Sequence, residues 1–346
     1  RGWVFQERIL SPRILHFTKG QVYWECRELS CSEDFPTGLP DWGKGLNAIK
    51  RKLHSATATA ESELLALPAD TDGEYRRCRI WMEIVTTYTS RRLTYRSDAL
   101  AALSGVAKYV QPIMGHAASN YVAGLWKNQD MISQLCWSAA FTLWSRDEPL
   151  PSHGKFKPPT WSWSMVGRPV TFDPLRYTGA PKPKGACTIL EAEAHHATQD
   201  PTGPVNGGCI AIEGQLCRVS LRNRSICQDH DGDMKDLGLG HYWDGPIDLD
   251  THPESLYLFL LQTGWAGPPN NYYYINCLIL TPITNQRGSF ERRGFAMRAD
   301  PSEAASAERG LSERKGSGRK VLERTKISGF IILATQRASV ATFHIV

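Results

Sequence analysis

Long apolar runs are absent from this chain of 346 residues. No stretch approaches the roughly 18–20 apolar residues that a membrane-spanning helix needs. The longest apolar stretches, at 256–261 and 330–334, have the length of a strand. The chain begins at Arg1, with no methionine and no signal segment before the patterned sequence. We therefore expect no membrane partner, and we interpret the sequence as a fragment or a truncated gene model.

A disulfide framework and a strong net charge are also missing. The nine cysteines are scattered, with no CxxC pair and no regular spacing. An odd number of cysteines without a framework favours reduced thiols in an intracellular, cytoplasmic compartment. The formal net charge of +5 is mild for this length, so we expect no nucleic-acid partner. What remains is a globular composition, with 41% hydrophobic and 22% charged residues.

Residues 1–36 have the pattern of a short helix followed by a β-hairpin. Trp3, Glu7 and Leu10 fall on one helical face. Ser11-Pro12 ends the helix, because the residue before a proline avoids helical backbone angles. Two short apolar strands around a Lys-Gly turn then complete the hairpin.

The rest of the chain changes pattern twice, and together the patterns predict an α+β fold. Residues 37–72 are rich in proline, glycine, alanine and threonine, which predicts mostly loop. Residues 73–148 carry apolar stripes at helical spacing. From 149 to 346 the period becomes two, with frequent turn residues, which predicts a β-rich C-terminal domain. Within it, residues 300–326 have few large apolar side chains, so we expect a disordered insertion.

Within the helical region two stripes are clear. The first consists of Ile80, Trp81, Ile84, Val85 and Tyr88. A second helix follows a cap at Ser97 and is expected to end at Pro112.

Motifs that imitate ligand sites fail on inspection. Residues 38–44 have the glycine and lysine spacing of a phosphate loop, but Gly45 replaces the Ser or Thr that would hold magnesium. The acidic stretch 229–233 has its glycine misplaced for a calcium loop, and we expect no metal site. Trp161 and Trp163 lie on one face of a predicted strand, where core packing is favoured over a carbohydrate platform.

The first 26 residues carry a resemblance to a known family. The sequence R-G-W-V-F-Q-E-R-I-L-S-P-R resembles the closing block of the fungal heterokaryon-incompatibility (HET) domain. The matching positions of this block are Arg1, Trp3, Gln6, Glu7, Ser11 and Pro12. The hairpin that follows in the family is matched by His16, Trp24, Glu25 and Cys26.

Further segments resemble the same family in the same order. They lie within 81–105, 121–126 and 159–164. Two departures stand beside the resemblance. The upstream part of the family's domain, with its Asp-Ala-Leu-Cys-Ile-Asn-Gln block, is missing, and residues 300–326 have no counterpart.

The resemblance implies a role in non-self recognition and cell-death signalling of a filamentous fungus. It implies that residues 1–36 are the C-terminal part of a TIR-like α/β domain, here followed by a helical connector and a β-rich region. Unidentified protein partners, and self-association through the HET domain, follow from the same resemblance. It assigns no bound cofactor.

An enzymatic alternative rests on Glu7. Trp3 and Glu7 resemble the W-x-x-x-E helix of TIR domains, whose glutamate serves NAD cleavage. NAD is then the substrate of a full-length parent, and Glu7 would stabilise an oxocarbenium-like centre. Against this stands a structural role, in which Glu7 pairs with Arg1, Arg8 or a backbone N–H group. A degenerate, non-functional remnant is the third reading. For His16, an interior hydrogen-bonded histidine is favoured over proton transfer.

Overall fold

The computed structural model describes residues 1–40, 46–58, 73–115, 117–139, 157–173, 182–230, 233–245, 256–265, 273–300 and 339–346. Within these residues the chain forms five α-helices, three short 3-10 helices and seventeen strands. The helices lie in the first half of the chain. Ten of the strands form one mixed sheet, mostly in the C-terminal half. The α+β prediction is confirmed at this level.

The first helix, α1 (Gly2–Leu10), buries one face and leaves the face of Trp3 and Glu7 exposed. Phe5 and Ile9 are buried, and the Phe5 ring meets the ring of Tyr88 edge-on with 5.5 Å between centroids. Trp3 is 45% exposed and Glu7 is exposed as well. The predicted helix is present, and the apolar pair Phe5 and Ile9, four residues apart, faces the neighbouring helices.

A three-stranded antiparallel sheet follows α1. Its strands, in spatial order, are β1 (Arg13–Phe17), β2 (Val22–Cys26) and β3 (Ser30–Ser32). The register places Leu15 opposite Trp24 and Ile14 opposite Glu25. Because side chains alternate along a strand, the first pair faces one side of the sheet and the second pair the other.

The second helix, α2 (Leu46–Ala58), occupies part of the range 37–72 that the sequence predicts to be loop. That prediction is wrong for this segment. Leu46, Ile49 and Leu53 are buried at helical spacing, and no proline or glycine falls between Leu46 and Ala58. Residues 41–45 and 59–72 of the same range lie outside the described residues.

Three more helices complete the helical part. They are α3 (Gly73–Thr89), α4 (Ala101–Met114) and α5 (Met131–Leu135). The predicted stripes fall on α3 and α4, where side chains such as Trp81 and Val106 are fully buried. Pro112 lies inside the last turn of α4, and Gly115, with φ 69°, follows the helix in the left-handed conformation that closes a helix end.

Two pairs of short strands lie among these helices. β4 (Tyr121–Val122) pairs with β5 (Leu125–Trp126), and β6 (Trp137–Ala139) pairs with β7 (Val170–Phe172). The segment before β7 differs from the prediction. Trp161 lies in a turn and Trp163 in the 3-10 helix Trp163–Met165, not on a strand. Both rings are nevertheless buried, as core packing requires.

The large sheet contains the remaining ten strands. They are β8 (Lys184–Gly185), β9 (Thr188–His196), β10 (Val205–Arg222), β11 (Ser225–His230), β12 (Asp233–Asp236), β13 (Gly240–Trp243), β14 (Leu256–Trp265), β15 (Tyr273–Pro282), β16 (Ser289–Asp300) and β17 (Ser339–Ile345). Their order is β12-β11-β10-β17-β16-β15-β14-β8, with β9 on β10 and β13 on β16. β10 also pairs with β14, so the pairings of β10, β17, β16, β15 and β14 form a closed circuit. Only β16 and β17 pair in parallel within the described strands.

Two hydrophobic clusters hold these elements together. The larger joins α1 to α5 to the sheet through residues such as Trp81 and Phe259. The smaller contains Leu258 and Ile279, whose side chains point to the opposite face of the sheet. Helices and sheet therefore share a core. The predicted domain limits stay a prediction, and the insertion 300–326 lies outside the described residues except for Asp300.

None of the helices in the described ranges is long and apolar enough to cross a membrane. All nine cysteines fall within those ranges, and each is a free thiol.

Candidate functional site

The most concentrated group of charges in the N-terminal region surrounds Glu25. Its carboxylate is 2% exposed and lies on the inner side of the three-stranded sheet. Arg8 of α1 donates from Nε to Oε2 at 2.7 Å, and its terminal nitrogen forms an ion pair with the same oxygen at 2.5 Å. The ammonium of Lys50, itself 2% exposed, lies 3.3 Å from Oε1, and His16 Nε2 lies 3.2 Å from Oε2. We call these four residues the Glu25 cluster.

Three separate elements supply the cluster. β1 and β2 bring His16 and Glu25 to the same side, because Ile14 is opposite Glu25 and His16 is opposite Tyr23 in the register. α1 contributes Arg8, which precedes the buried Ile9 and reaches from the helix to Glu25 on the sheet. α2 contributes Lys50, next in sequence to the buried Ile49.

The electrostatics of the cluster favour the charged carboxylate. Burial by itself raises the pKa of Glu25, but the hydrogen bond and charge of Arg8 oppose it. The charge of Lys50 and the hydrogen bond of His16 add to the effect of Arg8, and the net result is a pKa below the usual value of 4.5. At neutral pH Glu25 is therefore an anion that contacts three basic side chains.

A cavity of about 720 Å³ adjoins the cluster. Arg8, Arg51 and Arg91 line it together with polar groups such as Asn47 and Ser30. Asn47 connects two residues of the cavity wall, because it accepts a hydrogen bond from Arg8 at 3.2 Å and donates one to the Ser30 hydroxyl at 2.9 Å. The volume is within the range of small-molecule sites, and the arginines would suit an anionic ligand.

Glu7 stands apart from this site. Its side chain is exposed, and it is not among the residues that line the cavity beside the Glu25 cluster. Its backbone carbonyl accepts from the Ser11 amide at 3.1 Å and from the Ser11 hydroxyl at 2.7 Å. Trp3 donates instead to the Asp98 carboxylate at 3.3 Å. Of the partners considered for Glu7, which were Arg1, Arg8 or a backbone N–H group, Arg8 instead contacts Glu25 and Asn47.

The other residues of the family-like block hold the helix and hairpin in place. The Gly105 amide donates to Gln6 Oε1 at 2.7 Å, and a side chain at Gly105 would collide with Gln6. The Leu29 amide donates to the Cys26 sulfur at 3.2 Å. Burial raises the pKa of Cys26, but backbone hydrogen bonds from Leu29 and Glu28 outweigh it and lower the pKa overall. Arg1 and Pro12 are exposed at the two ends of α1.

The outer side of the same sheet is apolar and exposed. Phe17 is 79% exposed and Leu15 is 52% exposed. Their cross-strand neighbours, Val22 and Trp24, are half-buried and face the same side. We call Leu15, Phe17, Val22 and Trp24 the hairpin face.

Sequence reasoning selected His16 and Glu25 but missed two of their partners. Arg8 was considered only as a partner of Glu7, and Lys50 lies in the range predicted to be loop. The signal for Lys50 was present, because Leu46, Ile49 and Leu53 have helical spacing and would have placed Lys50 on a helix. Its burial against Glu25 depends on a contact across 25 positions, which no local pattern shows.

The described residues contain no group of three or more His, Cys, Asp or Glu side chains that could hold a metal ion. The Glu25 cluster also lacks an aligned nucleophile, since its members are one carboxylate and three basic groups. Its arrangement fixes α1, α2 and the sheet together. Comparison with known proteins gives no matching family model, no similar curated protein and no similar solved structure.

Proposed function

We propose that this chain is a heterokaryon-incompatibility protein of a filamentous fungus, and that it acts in cell-death signalling by binding another protein. The observation that carries the binding role is the hairpin face, where Phe17 is 79% exposed. An aromatic side chain in that position contributes little to folding, but it is the kind of anchor that protein interfaces bury. The resemblance of residues 1–26 to the HET domain supports the biological role.

The Glu25 cluster supports the same proposal. A buried carboxylate shared by Arg8, His16 and Lys50 holds the sheet in one position against α1 and α2. A rigid sheet presents Leu15 and Phe17 without the entropy cost of ordering a loop on binding. In this account the residues that resemble the family keep the hairpin face in position. The finer assignment of residues 1–36 to a TIR-like domain rests on the resemblance. The nine free cysteines support a cytoplasmic location.

The enzymatic alternative is retained as a competitor because Trp3 and Glu7 lie four residues apart on the exposed side of α1. Catalysis requires a carboxylate that is positioned beside a bound substrate. Glu7 is exposed and does not line the cavity beside the Glu25 cluster, where Arg8 and Arg51 would suit an anionic ligand. We therefore favour binding over NAD cleavage, and we expect no NAD loss from this chain.

Controlled expression in a filamentous fungus tests the proposal. Growth arrest should occur with the wild type and disappear when both Leu15 and Phe17 are replaced by serine. Leu190→Ser is the matched control, because Leu190 is also 52% exposed but lies on β9. Melting temperatures should agree among the three proteins.

Glu7→Gln separates the two functions, because it keeps size and hydrogen bonding and removes the charge. We expect this variant to arrest growth like the wild type, with cellular NAD unchanged. Loss of both arrest and NAD cleavage in Glu7→Gln would establish the enzyme instead. A wild type that never arrests growth would contradict the signalling role. Sedimentation of wild type and the Leu15, Phe17 double variant shows whether the bound protein is a second copy of this chain.

A further inference from the structure

A second, smaller cavity lies where the end of α3 meets the segment around Trp163. It has a volume of about 40 Å³, and its walls include the buried rings of Tyr88 and Trp163. A water molecule needs roughly 10–15 Å³ of such space. The cavity is therefore large enough for one compact polar group and too small for a whole cofactor.

The charged side chains that line this cavity are all basic. Arg91, Arg96 and Arg168 line it, and no acidic residue does. None of the three arginines forms an ion pair with any part of the chain that the structure describes. Burial, together with the nearby charge of Arg168, lowers the pKa of Arg96 to about 10. Cations in such surroundings are unfavourable unless an anion joins them.

The fold holds the guanidinium group of Arg96 in place. Arg96 is half-buried and donates to the backbone carbonyl of Met165. Its Nε is buried and has no hydrogen-bond partner among the described residues. Gly167 makes this arrangement feasible, because its φ of 57° suits glycine and any side chain there would collide with Arg96.

Neighbouring polar groups are already satisfied. Thr89 accepts from the Val170 amide at 3.0 Å, and the Trp163 indole donates to the Gly124 carbonyl at 2.9 Å. The Ser164 hydroxyl lies 2.7 Å from that of Ser162. The guanidinium groups are thus the donors left for a ligand.

We propose that this cavity binds the phosphate group of a small phosphorylated molecule. Guanidinium groups match phosphate oxygens with paired hydrogen bonds. A phosphate monoester carries nearly two negative charges, which match Arg96 and Arg168 better than a single carboxylate charge does. Arg91 is exposed and also lines the larger cavity, so the rest of the molecule extends toward it. This inference does not depend on the proposed function.

Isothermal titration calorimetry of the full chain with inorganic phosphate and with glycerol phosphate tests the inference, at fixed ionic strength. We expect one site per chain. Arg168→Gln should weaken binding about tenfold or more, as expected for the loss of a charge-assisted hydrogen bond. Arg224→Gln is the control, because it removes the same charge from the exposed β10–β11 turn. Arg96→Lys keeps the charge but loses the guanidinium fork, so it should also weaken binding.

The outcomes separate cleanly. Glycerol phosphate binding more tightly than inorganic phosphate identifies a phosphorylated small molecule, and equal affinities identify the free ion as the ligand. Binding that Arg224→Gln weakens as much as Arg168→Gln would reduce the effect to general charge and overturn the site. Absence of heat with either phosphate compound, or equal affinity for acetate, would also overturn it. Unchanged thermal unfolding of each free variant ensures that a loss of binding is not a loss of folding.

Discussion

The large sheet and the three-stranded sheet differ in which side chains they bury. In β15 of the large sheet, eight consecutive residues are buried, so apolar side chains cover both faces. In β1 of the three-stranded sheet no residue is fully buried, and Phe17 and Leu15 are turned outward. The inner side of the small sheet instead holds the charged Glu25 cluster.

This difference shows what each sheet is suited to do. Apolar burial contributes about 25 cal/mol for each Å² removed from water, without demanding a particular geometry. A buried ion cluster adds little net stability, because the cost of desolvation offsets the attraction between the charges. Removing one member is nevertheless strongly destabilising, because it leaves a buried charge without its partner. The large sheet therefore provides the stability, whereas the small sheet is fixed in position and keeps its apolar side free.

The largest effect is expected from the core of the large sheet. Phe295 is fully buried opposite Leu278 and Tyr242. Phe295→Ala should lower the free energy of unfolding by about 3–5 kcal/mol, because it removes apolar contacts and leaves a cavity. Urea unfolding measures the change. A cost below about 1 kcal/mol would mean that the sheet is not the main source of stability.

A cost of about 3 kcal/mol is expected from Glu25→Ala, at the low end for a broken buried ion pair because Arg8 remains one-third exposed to water. Lys50, which is 2% exposed, would be left as a buried cation without its partner. Adding Lys50→Met should recover part of the loss, which a double-mutant cycle detects. Additive costs of the two changes would contradict coupling between Glu25 and Lys50.

A smaller effect is expected from acid. The pKa of Glu25 is lowered by folding, so its charge stabilises the protein above pH 4.5, the usual value for the group. That contribution is lost as the pH falls below 4.5 through the lowered pKa. Burial raises the pKa of Asp200, but hydrogen bonds from Lys108, Thr202 and Ser104 outweigh it, so Asp200 adds its own acid dependence.

The diagnostic quantity is therefore a difference between two proteins. As the pH falls from neutral to well below 4.5, Glu25→Gln should lose less stability than the wild type, with the Asp200 contribution common to both. Parallel stability curves for the two proteins would show that Glu25 has the same pKa folded and unfolded.

The smallest effect is expected from the hairpin face. Phe17→Ala should change the free energy of unfolding by less than about 0.5 kcal/mol, because the ring is 79% exposed. The contrast with Phe295→Ala, the same chemical change, isolates burial as the cause. Destabilisation similar to that of Phe295→Ala would contradict the exposure of the Phe17 ring.

The sequence predicted the elements whose signals are local. The Ser11-Pro12 stop and the turn before β2 are backbone effects, and α4 follows from its apolar spacing. The prediction failed for α2, because the proline and glycine content of the range 37–72 was given more weight than the helical spacing of its apolar residues. The helix end at Pro112 was placed too early, because proline lacks an amide hydrogen but leaves the last turn intact before Gly115.

The candidate site was predictable only in part. His16 and Glu25 were singled out by resemblance, but the contact of Glu25 with Lys50 joins a strand to a helix that lies in the range predicted to be loop. The cavity beside Arg96 depends on a contact with the Met165 carbonyl across 69 positions. Such long-range contacts arise from packing and carry no local periodicity.

Hydrogen exchange of wild type and Glu25→Ala tests most directly the claim that the Glu25 cluster fixes the small sheet. The amides of β1 and β2 should lose protection in the variant, while those of β15 keep theirs, because β15 is held by apolar burial. The control is Phe17→Ala, which should leave both sheets protected as in the wild type. Unchanged protection of β1 and β2 in Glu25→Ala would contradict the account, since the sheet would then be held by something other than its ion cluster.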